Sequence, residues 1–514
     1  MNAGHYDVII IGTGAGGGTL LSKLAPSGKK ILVLERGKFL PREKENWSAA
    51  EVFQENRYHT TEVWLDKDGK DVHPGTGYWV GGNTKVYGAA LFRLREGDFR
   101  EVPHAGGGVS PAWPLAYADL EPYYHAAEIL YRVHGLAGED PTEAARSAPY
   151  PFPPVTDEPR IVELRQALTK QGLRPFSIPL GIDLNEQDRA HSPCIKCNTC
   201  DGFPCLVHAK ADAEVMCVRP AMRHPNVTLA IEALATRLFT SASGREITSV
   251  EVYAGGHTHQ VTADIVVVAA GAINSAALLL RSANERHPQG LANGSGLVGR
   301  NFMKHHNGSI LAVGRSLNPT VFQKTLAVND FYWGDDEFPS PMGHVQLLGK
   351  VSGDMLSPDA PAFAPGAALD AMAHRSIDWW LTAEDLGHPD NRVRIEAGQI
   401  VLEYEERGAE GFHRLMKRWK SILEAAHEQT TFFPHALYFR KTIPLAQVGH
   451  QCGTCRFGAD PATSVLDVTC RAHEVDNLYV VDGSFFPSSG AVNPSLTIIA
   501  NALRVGDHLL ERLG

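Results

Sequence analysis

Ile9–Gly18 reads IIIGTGAGGG, and Ile31–Gly37 reads ILVLERG. Tyr6–Ile11 is expected to form a strand, Gly16–Leu24 to begin a helix and Lys30–Glu35 to form a second strand. Together these make a βαβ opening with a parallel pair. Gly12, Gly14 and Gly17 hold the positions of a dinucleotide fingerprint: a tight turn, close approach of backbone to a pyrophosphate, and close helix–strand packing. The first N–H groups of the helix then face the phosphates. Glu35 lies 23 residues after Gly12, at the end of the second strand, where a carboxylate can bond a ribose hydroxyl. A Gly-rich turn without a ligand would explain the glycines alone, but not strand, helix and acid in register. The fingerprint does not choose between NAD and FAD.

Further along the chain, Val227–Ala270 reads as strands joined by the turns SASGRE and AGGHTH, ending in the apolar IVVVAAG. Leu478–Val481 is another apolar strand, and Pro494–Leu510 is a C-terminal helix. Between these pieces lie two less regular regions. The first, from Trp47 to about Cys205, holds the helical stretch AYADLEPYYHAAEILYRV and the linker PYPFPP. The second, Arg300–Val448, contains an amphipathic helix with Phe412, Leu415, Trp419, Ile422 and Leu423 on one face, a stripe expected to pack in a core. No internal repeat is present.

The chain has 514 residues, 43% hydrophobic and 21% charged, enough apolar content for a large buried core. The net charge of −10 is spread without long runs of one sign, and the basic face that nucleic acid requires is not visible. The opening MNAGHYDVIII lacks the basic region of a signal peptide. Ile265–Leu280, the longest charge-free apolar stretch, falls short of the ~18 residues of a spanning helix. A soluble, cytoplasmic protein without membrane insertion is expected, with its eight cysteines as reduced thiols or ligands.

Five stretches decide between the dinucleotides: YWVGGNTKVYGAA (78–90), GAINSAALLLRS (271–282), GRNFMKH (299–305), GHQCGTCRFG (449–458) and NLYVVDGSFFPSSGAVNPSLTIIANALRVGDHLL (477–510). In this order they resemble the glucose–methanol–choline (GMC) flavoprotein oxidoreductases. The whole-chain character is similar to the bacterial pyranose oxidases, C-glycoside oxidases and glucoside 3-dehydrogenases. The resemblance implies an α/β fold, α+β overall. A discontinuous Rossmann-like FAD-binding domain (1–46, 76–100, 206–300 and 450–514) would carry an inserted substrate-binding domain built on an antiparallel sheet with helices (47–75, 101–205 and 301–449).

Carried over position by position, the resemblance implies that Gly12, Gly14, Gly17 and Glu35 hold the adenosine diphosphate of FAD. Gly81, Gly82 and Asn83 would lie beside the flavin, Asp482 and Gly483 near ribityl and phosphate, Asn493 and Pro494 against the ring, and Ala235 at the adenine. His450 matches the active-site histidine and Asn493 its partner. The chemistry fits these residue types: an imidazole titrating near neutrality takes the hydroxyl proton, flavin takes the hydride, and a neutral amide holds the oxygen without competing for the proton. Asn493 also suits an N-cap before Pro494.

The implied reaction is oxidation of a secondary ring hydroxyl, C2 or C3, of a sugar or glycoside to a ketone, with oxygen or an electron-carrier protein as acceptor. A non-sugar alcohol as substrate, a flavin-binding protein without turnover and a nicotinamide dehydrogenase remain open. Val86 stands where fungal pyranose oxidases carry the histidine that attaches FAD covalently, so non-covalent FAD is expected. Phe457 replaces the Met common in relatives. The adjacent Trp379 and Trp380 suit either a sugar-stacking surface or core packing.

SPCIKCNTCDGFPC, Ser192–Cys205, places Cys194, Cys197, Cys200 and Cys205 with two, two and four intervening residues. Short successive gaps around one centre point toward an iron–sulfur cluster rather than structural zinc. A CxxC dithiol and a metal-free loop of buried thiols are the competing readings.

Overall fold

The computed structural model describes residues 4–361, 363–426, 431–434, 445 and 449–514. A seven-stranded sheet begins with four parallel strands in the order Val227–Ala230, Ile31–Leu34, His5–Ile11 and His257–Val268. Leu478–Val480 joins His257–Val268 in parallel on its other side. The N-terminal half of His257–Val268 continues into an antiparallel meander with Ile247–Ala254 and Ala233–Thr240. Val8–Ile10, Ile31–Leu34 and Ile265–Val268 are buried on both faces, the pattern of a parallel sheet covered by helices. The helix Ala15–Leu24 packs against the C-terminal helix Ser495–Leu513, which packs in turn on Tyr117–Leu130. Among the described residues no helix is long and apolar enough to cross a membrane.

A second sheet of six antiparallel strands runs Thr431–Pro434, His306–Val313, Ser376–Ala383, His344–Leu347, Leu326–Val328 and Phe176–Ser177. The helix Glu410–Ala426 buries Phe412, Leu415, Trp419 and Leu423 against one face of it, with Ile422 partly buried beside them. Strand periodicity of two then decides the fate of the paired tryptophans. Trp379 points to the helix side, where its ring centroid lies 4.7 Å from that of Trp419. Trp380 points to the opposite face, level with Ser309 on one neighbouring strand and Gln346 on the other. A smaller four-stranded sheet joins Arg392–Glu396 and Gln399–Glu403 to Trp64–Asp66 and Asp71–Val72.

All eight cysteines are unpaired. Among the described residues no three His, Cys, Asp or Glu side chains come together as a group able to hold a metal. The iron–sulfur ligation that the spacing of Cys194, Cys197, Cys200 and Cys205 suggests is not supported by this arrangement. In the loop backbone Lys196 and Gly202 take positive φ, +54° and +79°. Burial pushes the Cys194 thiol up to about 11 and the Cys200 thiol up to about 12. The loop instead presents Asn198, Asp201 and Gly202 to the cavity described next.

Candidate active site

Strand packing places the fingerprint turn first. Gly12 has a φ of +102°, and a Cβ on it would lie 2.3 Å from the Ala269 carbonyl oxygen of the neighbouring strand. A Cβ on Gly17 would lie 2.1 Å from the Gly12 carbonyl oxygen, so the helix can approach the turn only without a side chain there. Gly14 differs: a Cβ on it would meet nothing within 4 Å, because it faces open cavity at the first turn of Ala15–Leu24. Gly81 and Gly82, φ +96° and +55°, fold over this turn. The Gly81 N–H donates to the Thr13 hydroxyl at 3.0 Å.

Glu35 closes the other side of the turn. Its carboxylate accepts from the Thr13 N–H at 3.1 Å, the Thr13 hydroxyl at 2.5 Å and the Gly37 N–H at 2.9 Å. Burial raises its carboxyl above the ordinary value against the lowering effect of these donors. Asp482 is saturated in the same way. It accepts from the Gly271 N–H, the Ser275 hydroxyl, and the N–H and hydroxyl of Ser484, which aligns the start of the helix Ala272–Arg281 with the sheet. A Cβ on Gly483 would lie 2.3 Å from the Gln451 carbonyl oxygen, so this glycine lets the Asp482 segment lie against the residue that follows His450.

One cavity of about 600 Å³ collects these pieces. Gly12, Gly14, Glu35 and Ala235 line it, as do Gly82, Asn83, Asp482 and Gly483, and so do His450, Asn493 and Pro494. Of the positions carried over from the resemblance, Gly17 and Gly81 lie outside its lining and act through packing and through the Thr13 bond. Pro494 is the N-cap residue of Ser495–Leu513, and no side-chain capping bond is made there. The Asn493 amide therefore does not serve as the helix cap. Val86 also lines the cavity.

His305 is a site residue that reading the sequence missed, although GRNFMKH ends on it. It is fully buried and its ring lies against His450, Nδ1 to Nδ1, at 3.0 Å. Its Nε2 faces the Ser489 carbonyl oxygen at 3.3 Å. A carbonyl only accepts, so the His305 Nε2 carries a proton. Burial lowers the His305 pKa to about 4, so the ring is neutral and its Nδ1 can only accept. His450 must then donate from Nδ1, which leaves its Nε2 with a free lone pair. Burial, then the neighbouring His305 and Lys324, hold the His450 pKa well below its ordinary value. The pair is a neutral base with its tautomer fixed from behind.

The prediction that follows concerns His305 as a positioning residue. His305→Ala should slow substrate-dependent cofactor reduction about tenfold. It should also move the acid limb of the pH–rate profile upward, since one influence holding the His450 pKa down is removed. His305→Gln, whose amide oxygen can accept the same bond, should restore most of the rate. Equal profiles in all three proteins would show that His305 only fills space.

Comparison with known proteins gives the chain its family. Residues 6–307 match the N-terminal model of the GMC oxidoreductases, and residues 388–502 match the C-terminal one. The chain is a GMC oxidoreductase. It is 32% identical to the 6'''-hydroxyparomomycin C oxidase of Streptomyces lividus, over 99% of this chain and 92% of that protein. It is 31% identical to the paromamine 6'-oxidase of Streptomyces fradiae, over 97% and 90%. The crystal structure of pyridoxine 4-oxidase from Mesorbium loti superposes with a TM-score of 0.72 at 21% identity, covering 98% of this chain and 99% of that one. GMC oxidoreductases bind FAD. The residues present fit it: Gly14 leaves the helix N-terminus open to a pyrophosphate, and Glu35 and Ala235 stand at the end where the ribose and adenine would lie.

Proposed function

We propose that this GMC oxidoreductase oxidises a hydroxyl of a sugar or glycoside, with FAD held non-covalently. The observation that carries the reading is the free Nε2 of His450, fixed by His305, in a cavity that the dinucleotide fingerprint also lines. When bound, FAD supplies the acceptor for the hydride that leaves the carbinol carbon. His450 takes the hydroxyl proton on Nε2, and the Asn493 amide donates to the same oxygen and holds it. Trp380, Ser309 and Gln346 offer an aromatic face flanked by polar groups, which suits a pyranose ring. The sugar class is supported by the names of the two Streptomyces relatives. Oxidation at C2 or C3 yields a ketone and oxidation at C6 an aldehyde, so product analysis assigns the position.

The test is an anaerobic titration of the purified protein with sugars and glycosides. The expected result is a yellow protein that bleaches on addition of a sugar and recovers its colour with oxygen or an artificial acceptor. Choline or aryl alcohols bleaching it while every sugar fails would overturn the sugar reading. Acid precipitation should release the chromophore into the supernatant, because Val86 cannot form the histidyl bond. Flavin left in the pellet would contradict the non-covalent assignment.

A further inference from the structure

At the end of the cavity near His450, charge is distributed in a specific way. Asp201, from the Cys-rich loop, lines this end of the cavity. Lys324 forms an ion pair with Asp201 Oδ1, and the Gly349 N–H donates to Oδ2 at 2.6 Å. The Lys324 side chain is 3% exposed and that of Asp201 17%, so the pair is largely out of water. It sits directly on Gly88: a Cβ there would lie 1.6 Å from Asp201 Oδ1 and 2.0 Å from Lys324 Nζ. The turn after Gly81 and Gly82 thus reaches a glycine where the ion pair needs room, and the pair is built into the wall. Lys350 adds a second ammonium to the lining, and its Nζ donates to the Ser376 carbonyl oxygen at 2.5 Å. Asp378 stands behind Lys350, and its Oδ2 is held by the Gln323 amide and the Val351 N–H.

We infer that the Asp201–Lys324 pair sets the charge class of the substrate: neutral and anionic sugars are accepted, and cationic amino sugars are rejected. The inference rests on the sugar reading above and narrows it, setting this chain apart from the two Streptomyces relatives, which are named for aminoglycosides. An ammonium group entering this pocket gives up its hydration, and it needs a carboxylate in return. Both oxygens of Asp201 are already engaged by Lys324 and the Gly349 N–H, so no free carboxylate waits there for an ammonium. A hydroxyl-only pyranose meets no such obstacle: it stacks on Trp380 and bonds to neutral Ser309 and Gln346. A carboxylate substituent finds the two lysines.

The experiment is anaerobic reduction of the holoenzyme at pH 6.5, by stopped flow, with methyl glucoside, methyl glucuronide, methyl 2-amino-2-deoxyglucoside and methyl 6-amino-6-deoxyglucoside. Both amines should react at least about tenfold less efficiently than the neutral parent. Lys324→Met frees the Asp201 charge and should shrink or invert that gap by about tenfold at full flavin content. Asp201→Asn leaves Lys324 unneutralised and should widen it while favouring the glucuronide, which keeps the test decisive if one variant fails to fold. Amino sugars reacting as fast as methyl glucoside with the native enzyme would overturn the inference and leave sugar oxidation standing. Unchanged ratios in both variants would also overturn it. Failure of every sugar to bleach the enzyme would refute the sugar reading, and this inference with it.

Discussion

Alanine in place of His450 is expected to slow anaerobic flavin reduction by substrate on the order of 10²-fold or more, while the protein stays folded and yellow. The expectation follows from the position of the lone pair. With His305 accepting the His450 Nδ1–H, the nitrogen of the pair left to take a proton from substrate is His450 Nε2. Removing the ring leaves the hydroxyl proton to water. The fold should tolerate the change, because His450 lies at the cavity and not in an apolar cluster. The native enzyme should keep its rate through neutral pH and lose it only in acid. His450 has a lowered pKa and is neutral above it, so the base is lost as pH falls through that value. Asn493→Ala should cost less, since the amide holds the oxygen and moves no proton. An unchanged reduction rate in His450→Ala would assign the base to another group.

Gly14→Asp should leave a folded protein that purifies without colour. Gly14 has an ordinary φ of −69°, and a Cβ on it meets nothing within 4 Å, so neither backbone strain nor a Cβ clash opposes the substitution. The carboxylate would stand at the first turn of Ala15–Leu24, where a pyrophosphate belongs. Two unit charges 4 Å apart at an effective dielectric constant of 20 repel by about 4 kcal/mol. Flavin affinity should therefore fall on the order of 10²-fold or more. Gly14→Ala, which adds bulk but no charge, should keep most of its flavin. Measured flavin content and thermal unfolding separate loss of cofactor from loss of fold. A yellow Gly14→Asp protein would mean that the phosphates lie elsewhere.

What was legible in the sequence was local. Gly12, Gly17 and Glu35 are fixed by one βαβ unit, so the βαβ opening and the parallel sheet follow from a few dozen residues and their spacing. The antiparallel second sheet came from resemblance, because its strands are separated by long irregular stretches. The His305–His450 contact joins residues 145 apart and could not be read from either motif alone. The different environments of Trp379 and Trp380 needed the register of three strands. The cysteine spacing offered competing readings, because nearness along the chain does not by itself bring side chains together as ligands.

The six-stranded sheet has a consequence for how such an enzyme diverges. Trp379, Leu381, Ile310 and Leu347 are locked into the helix Glu410–Ala426 and its core. Trp380, Ser309 and Gln346, each next to or across from one of these, face the cavity. Selectivity and thermal robustness are thus written in alternate letters of the same strands. New substrates can be reached by exchanging the cavity-facing letters, while the margin against unfolding stays with their neighbours.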